Sequence, residues 1–260
     1  MEGKLHITLA AEKIGNIFGL PVTNTLITTW LVIGLLIILG IVVRKKIALV
    51  PGKLQNALEM LIEYFFGLVE ETLDSRRLAK RYFPLIATIF IFILAGNLFD
   101  FLPLFGTIGI YHNEEFIPLL HPVNADLNST LALAIISFFV IELSGIFTLG
   151  FLKYGSKFVN FKGGAMGFMI GLIEIIGNLA RLISLSFRLF GAIFAGEVLL
   201  LVIGAFVPLF LPVPLMAFEI FIGILQAGIF AVLTLAFIKL AIAEPHGSET
   251  VYGEKKMAHG

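Results

Sequence analysis

Residues 163–207 read GGAMGFMIGLIEIIGNLARLISLSFRLFGAIFAGEVLLLVIGAFV, and this stretch decides the fold. It contains no proline and no polar linker. If helical throughout, it is roughly 65 Å long, about twice the hydrocarbon thickness of a bilayer. Two spans would need a turn beside Arg181 and Arg188, and would move the tail with Lys255 and Lys256 outside. We therefore expect one long, strongly tilted membrane helix.

A second long apolar run follows the first. Pro-rich residues 208–214 separate the two runs, and the second covers 215–243. Proline restricts the backbone and removes an amide donor, so this segment predicts an external turn. We expect a hairpin of two long tilted helices, followed by a cytoplasmic tail over 244–260.

The whole chain is strongly apolar. Of its 260 residues, 58% are hydrophobic and 14% are charged, against about 45–50% and about 25% in soluble domains. Such a chain cannot cover itself with a polar surface, which excludes a soluble enzyme, a disordered protein and a nucleic-acid binder with a basic face. It has no cysteine, so disulfides and thiolate metal sites are excluded. We expect no metal site and no cofactor.

Three further apolar stretches predict membrane helices, at 25–43, 83–105 and 130–152. Basic clusters mark cytoplasmic ends by the positive-inside rule. The clusters are Arg44, Lys45 and Lys46; then Arg76, Arg77, Lys80 and Arg81; then Lys153, Lys157 and Lys162. All three agree on one topology, in which the N-terminus is outside and the C-terminus is cytoplasmic. The segments 1–24 and 106–129 are then external.

Residues 44–82 predict a cytoplasmic loop that contains an amphipathic helix. Apolar residues recur there at helical spacing, with acidic residues between them. The apolar positions are Leu54, Leu58, Leu61, Ile62, Phe65, Phe66, Val69 and Leu73. The pattern favours a helix on the membrane surface, with a packed cytoplasmic helix as the alternative. The predicted class is an all-α polytopic membrane protein with about five membrane helices and one surface helix.

Charged residues interrupt the long run 163–207. Glu174, Arg181 and Arg188 are spaced by seven, so they share one helix face. An arginine near the bilayer centre costs about 2.5–3.5 kcal/mol on insertion scales and about 10–17 kcal/mol in simulations. Arg188 therefore requires a partner or a water-filled cavity. We expect the partner outside this chain, with an internal ion pair to Glu219 or to another helix as the alternative.

Carboxylates lie at two depths on either side of Arg188. Glu197 and Glu219 flank the Pro-rich turn, and Gln226 lies seven residues beyond Glu219 on the same face. Glu174 lies near the cytoplasmic end of its helix. Intramembrane carboxylates commonly mark proton relays, so two polar access routes are predicted. For each carboxylate alone, a hydrogen-bonded contact between helices is the alternative.

Several sequence blocks occur in a fixed order over most of the chain from about 80 to 245. The most specific is SLSFRLFG at 184–191, followed by AGE at 195–197. Supporting blocks are NLFDFLP at 97–103, NADLN at 124–128, LQA at 225–227 and LT at 233–234. Together they resemble subunit a of the F-type ATP synthases.

The resemblance implies a function as the stator of an ion-driven rotary motor. Arg188 matches the stator arginine, which attracts the ionised carboxylate of a rotating ring subunit and prevents a direct leak between two half-channels. The outer half-channel would contain Glu197, Glu219 and Gln226. On the cytoplasmic side, the resemblance places Glu174, and we group Arg181 and Ser184 with this proton pathway.

The resemblance also implies partners and a location. The partners are the ring of small membrane subunits (the c-ring), the b subunits of the peripheral stalk, the lipid bilayer and the carried ion, H⁺ or Na⁺. ATP chemistry lies elsewhere, because this chain has no G-x-x-x-x-G-K-[ST] loop. No nucleic-acid partner is implied. Because the chain is compact and shows no transit peptide, we expect a bacterial plasma membrane.

Two departures from the family pattern concern the proton path. Ala192 stands where the family often has asparagine, and both outer positions are glutamate where some members have one histidine. We expect Glu197 and Glu219 to share a proton because of like-charge repulsion. A secondary transporter, which would show internal repeats, and a self-contained channel, which would need a symmetric pore ring, remain the rival classes.

Overall fold

The computed structural model describes residues 13–17, 20–47, 52–101, 109–112, 115–151, 154–155, 164–207 and 210–243. Their helices are α1 (Asn24–Lys46), α2 (Lys53–Leu73), α3 (Arg76–Phe99), α4 (Leu127–Leu149), α5 (Gly164–Phe206) and α6 (Pro212–Ile242). Two short antiparallel hairpins pair β1 (Lys13–Ile17) with β2 (Leu20–Thr23) and β3 (Gly109–His112) with β4 (Glu115–Pro118). These hairpins lie in segments for which no secondary structure was predicted.

Five of these helices are long and apolar enough to cross a bilayer: α1, α3, α4, α5 and α6. This confirms the all-α polytopic class. The helix α5 is continuous over 43 residues, about 65 Å at the standard rise per residue. Its partner α6 packs against it as a helical hairpin.

The boundary between α2 and α3 differs from the sequence prediction. The helix α2 ends at Leu73 because Asp74 adopts a left-handed conformation with φ 51°. Ser75 then caps α3, its side chain accepting a hydrogen bond from Leu78 N at 3.5 Å. The cluster from Arg76 to Arg81 therefore belongs to α3 and not to the end of the surface helix. Hydropathy missed this start, since capping and not apolarity decides it.

Two other predicted boundaries also shift. The helix α3 ends at Phe99, before the predicted end at 105, and Pro84 lies inside it. The helix α6 begins at Pro212, because proline fits the first turn of a helix, where no amide donor is needed. The predicted turn at 208–214 is therefore shorter. Pro208, Lys153, Lys157, Lys162 and the tail 244–260 lie outside the described residues.

The core is built between α3, α4, α5 and α6: α6 packs against the other three and α4 packs against α5, while α1 packs against α3. Buried side chains from α3 and α5 meet in one part of it, among them Ile89, Ile93, Leu185 and Leu189. A second cluster, including Val69, Tyr82, Leu235 and Ile238, joins the C-terminal half of α2 to α3 and α6. The N-terminal half of α2 leaves Leu58, Leu61 and Ile62 exposed.

Candidate functional site

Arg188 lies on the exposed face of α5, while Ser186 and Phe190 are buried on the opposite face. Its Nη2 lies 3.5 Å from Ser184 Oγ, one turn earlier. The ion pairs found among the described residues are Arg181 with Glu174 and Lys239 with Asp74, so none involves Arg188. The alternative of an internal ion pair with Glu219 is therefore not seen in this part of the chain.

Glu219 is buried in α6 and packs against the backbone of α5. It is 9% exposed, and its Oε2 has no hydrogen-bond partner among the described residues. A Cβ atom built on Gly196 would lie 2.7 Å from Glu219 Oε1. Glu197, the next residue of α5, is half-buried. The two predicted outer glutamates thus come together where α5 and α6 cross.

Asp100, which caps the C-terminal end of α3, is a third carboxylate in this region. Its Oδ1 is shielded from solvent and has no hydrogen-bond partner among the described residues, although the residue as a whole is only half-buried. Burial raises the pKa of Asp100 well above its usual value, and the charges of Glu197 and Glu219 raise it further. A hydrogen bond with the backbone of Val123 acts in the opposite direction. The outer site therefore combines carboxylates of α3, α5 and α6.

Two asparagines connect the outer site to the helix backbones. Asn97 Nδ2 donates to Gly223 O of α6 at 2.8 Å, and Asn97 Oδ1 accepts from Asn124 Nδ2 at 2.7 Å. Both asparagines are buried. Gly223 lies one turn after Glu219, and Asn97 nearly one turn before Asp100. Gln226, the remaining predicted outer residue, is half-buried in the next turn of α6.

The segment before α4 is also more ordered than a solvated loop. His121 is 8% exposed, and its backbone N donates to Thr28 Oγ1 of α1 at 3.2 Å. His121 is therefore buried against α1 and not solvated, because the predicted external loop folds back against the helix ends. Asp126 caps α4 and accepts from Asn128 N at 3.0 Å.

Arg181 lies two turns before Arg188 on α5, and its side chain points toward α6. Its guanidinium lies 5.6 Å from the centre of the Phe237 ring of α6, and its Nη2 is 3.9 Å from Glu174 Oε1. Its Nη1 donates to Asn178 Oδ1. Glu174, Arg181 and Arg188 therefore occupy one stripe of backbone positions, but their side chains meet different surroundings.

Three residues that the sequence prediction did not single out complete the cluster around Arg181. Glu142 of α4 accepts from Tyr154 Oη at 2.8 Å and from Asn178 Nδ2 at 3.0 Å. A charged residue inside the apolar run 130–152 was the available signal for Glu142. The sequence offered no comparable signal for Tyr154 or Asn178. In the part of the chain that is described, no three His, Asp or Glu residues converge as a metal site.

Comparison with known proteins agrees with the sequence resemblance. The profile of the family described as ATP synthase A chain matches residues 26–239. ATP synthase subunit a of Moorella thermoacetica is 33% identical over 226 residues, which are 87% of this chain and 94% of that protein. ATP synthase subunit a 2 of Syntrophotalea carbinolica is 35% identical over 247 residues, which are 94% of each chain.

A third relative gives the same result. ATP synthase subunit a of Geobacter sulfurreducens is 34% identical over 221 residues, which are 84% of this chain and 87% of that protein. The profile spans all five candidate membrane helices in whole or in part. It also covers the carboxylates Asp100, Glu197 and Glu219 and the cluster around Arg181. The chain therefore belongs to the ATP synthase A chain family, the family of ATP synthase subunit a.

Proposed function

We propose that this chain is the proton-translocating stator subunit in the membrane sector of an ATP synthase. Family membership and the five apolar helices support a proton-carrying membrane subunit. The finer proposal is that Arg188 faces a rotating ring of small subunits and holds the ionised carboxylate of each ring subunit as it passes. The chain itself would carry out no ATP chemistry.

The observation that carries this proposal is the position of Arg188. It is exposed on a long apolar helix and has no acidic partner among the described residues. A guanidinium in hydrocarbon is costly unless a counter-charge or water meets it. A carboxylate on a neighbouring subunit would supply that counter-charge, and an exposed face of α5 would let successive ring subunits reach it.

Two separate half-channels would lead to and from this arginine. The outer one would use Glu197, Glu219 and Gln226, to which the structure adds Asp100 as a candidate. The inner one would use Glu174 and Arg181, with Ser184 beside Arg188. Along the axis of α5, Glu197 lies about 14 Å from Arg188, and Glu174 lies about 21 Å away on the other side. A proton would then cross only by riding on the ring.

The orientation in the membrane follows from charge. The basic clusters at the end of α1 and the start of α3 would be cytoplasmic, so the N-terminus would be external and the C-terminus cytoplasmic. The exposed apolar residues of α2 would lie in the cytoplasmic membrane surface. Bacterial relatives favour a plasma membrane, where the peripheral-stalk b subunits would hold this chain against the ring.

The test is the Arg188→Ala variant of the whole ATP synthase in inverted membrane vesicles. We expect loss of ATP-driven proton pumping and of ATP synthesis, while the ring still co-purifies with the subunit. Arg77→Ala, at an exposed arginine at the start of α3, is the matched control and should keep both activities. Normal coupled activity of Arg188→Ala would refute the stator role.

A further inference from the structure

A narrow cleft lies beside Arg181, between α4, α5 and α6. Its polar lining consists of Glu142, Asn178 and Arg181, and the Phe237 ring forms part of its apolar wall. Glu142 is not one of the residues that the sequence predicted for the proton pathway. It nevertheless has hydrogen bonds to two different segments of the chain.

The hydrogen bonds of Glu142 fix the direction of the neighbouring amide. Both carboxylate oxygens are occupied as acceptors, Oε2 by the Tyr154 hydroxyl and Oε1 by Asn178 Nδ2. A carboxylate cannot donate, so the amide nitrogen of Asn178 must face it. The amide oxygen of Asn178 is then left to face Arg181, where it accepts from Nη1.

Arg181 is held on three sides by this arrangement. Asn178 Oδ1 accepts one of its N–H groups, Glu174 lies 3.9 Å from another, and the Phe237 ring lies under the guanidinium plane. An amide of the opposite orientation would present N–H groups to a cation, which is repulsive. The orientation of Arg181 toward Glu174 therefore depends on an acceptor that Glu142 keeps in place.

The Tyr154 hydroxyl anchors Glu142 from the other side. The ring is buried against Gly145, where an added Cβ atom would collide with Tyr154 Cε2. Burial raises the pKa of Tyr154, and its hydrogen bond to the Glu142 carboxylate raises it further, so the hydroxyl keeps its proton and remains a donor. Among the described residues, the charged or titratable groups facing this cluster are Glu142 on α4, Tyr154 after it, and Glu174 and Arg181 on α5.

We propose that Glu142 is a positioning residue for the cytoplasmic ion route: through the Asn178 amide it orients Arg181 toward Glu174. This inference rests on the proposed function, because it assigns Arg181 and Glu174 to that route. It does not require Glu142 itself to carry a proton. The Glu142 carboxylate on α4 sets the orientation of the Asn178 amide on α5, and this amide sets the orientation of Arg181.

The test compares Glu142→Gln with a matched control in inverted vesicles that contain the whole ATP synthase. The amide introduced at position 142 is itself a donor, so it allows Asn178 to turn its N–H groups toward Arg181. We expect proton pumping to slow about three- to tenfold, the range of one typical hydrogen bond. Glu63→Gln, at an exposed glutamate of α2, should pump at the normal rate.

A compensating exchange separates positioning from mere packing. Combining Glu142→Gln with Asn178→Asp makes position 142 the donor and returns an acceptor to Arg181. We expect this double variant to pump at least about twice as fast as Glu142→Gln alone. Tyr154→Phe removes one anchor of Glu142 but leaves its carboxylate to fix the amide, so it should slow pumping less than Glu142→Gln does. If Tyr154→Phe matched Glu142→Gln and the exchange restored nothing, Glu142 would only anchor the segment after α4.

A double-mutant cycle with Arg181→Gln provides the decisive readout. If Glu142 acts through Arg181, Glu142→Gln should cause no further slowing in the Arg181→Gln background. Equal slowing in both backgrounds would overturn the inference. The Arg188→Ala variant belongs in the same series: if it pumped normally, the proposed function would fail, whereas its inactivity beside a normal Glu142→Gln would refute only the positioning role.

Discussion

The carboxylate of Glu219 rests directly on the backbone of Gly196, where a β-carbon would come within 2.7 Å of Oε1 and 3.0 Å of Cδ. Real Cβ atoms do not approach a neighbour so closely, so glycine at 196 is what lets the Glu219 carboxylate occupy this position. The contact places a buried carboxylate of α6 beside Glu197 of α5. The outer glutamates are thus brought together by a close helix contact of the kind that small residues permit in membranes.

Gly196→Ala should displace Glu219 and slow proton translocation. The added methyl group meets the carboxylate and its Cγ, which is 3.1 Å from the same Cβ position, so the side chain must rotate or the helices must separate. We expect a fall of about tenfold or more in the rate of ATP-driven pumping, since overpacking a tight contact costs about 1–3 kcal/mol.

Gly204→Ala is the matched control for this prediction. It lies in the same helix, and a Cβ atom there meets nothing within 4 Å. It should leave pumping and assembly unchanged. Equal pumping by Gly196→Ala and Gly204→Ala would show that the position of Glu219 does not limit translocation.

Glu219→Gln should lower the pKa of Asp100. The negative charge of Glu219 is one of the causes that raise this pKa, so its removal allows Asp100 to ionise at lower pH. Burial and the charge of Glu197 remain, so the pKa should stay above the usual aspartate value. Infrared difference spectroscopy during a pH titration follows the band of the protonated Asp100 carboxyl and so measures the change in its pKa. The Asp100→Asn variant, which lacks this band, assigns it.

The companion measurement is the pH dependence of proton flux in the same Glu219→Gln variant. If Glu197 and Glu219 share a proton, the flux profile should change shape as well as height. An unchanged profile would contradict proton sharing. Glu63→Gln again serves as the control for loss of one carboxylate at an exposed position.

Asn97→Ala should destabilise the subunit. Asn97 joins α3 to α6 through Gly223 O and to Asn124 before α4, and it is 2% exposed. Removing a buried partner leaves polar groups unpaired, which costs about 1–3 kcal/mol. Thermal unfolding of the purified complex in detergent should show a lower Tm for the subunit.

Asn56→Ala is the corresponding control, at an exposed position of α2. It should leave the Tm within about 1 °C, because exposed substitutions away from special features change stability little. A normal Tm for Asn97→Ala would mean that water replaces the amide bridge at no cost.

Much of the fold could be predicted from the sequence because the bilayer imposes a simple rule. Every segment such as 163–207 that stays apolar over a long stretch must be a helix, since lipid offers the backbone no hydrogen-bond partner. The same reasoning predicts that Arg188 requires a partner or a water-filled cavity. The hairpins and the boundary at Asp74 and Ser75 were missed, because they depend on local backbone conformation and capping and not on hydropathy.

The sequence by itself determined the class, the apolar helices and the residue types that carry charge. Family resemblance added the expected role of Arg188. Only the tertiary structure decided which polar groups meet: Glu219 on Gly196, Asn97 with Gly223, and Glu142 with Asn178. These contacts depend on how each helix is rotated and where it crosses its neighbours, and packing between distant segments sets both. Spacing along one helix cannot supply that information.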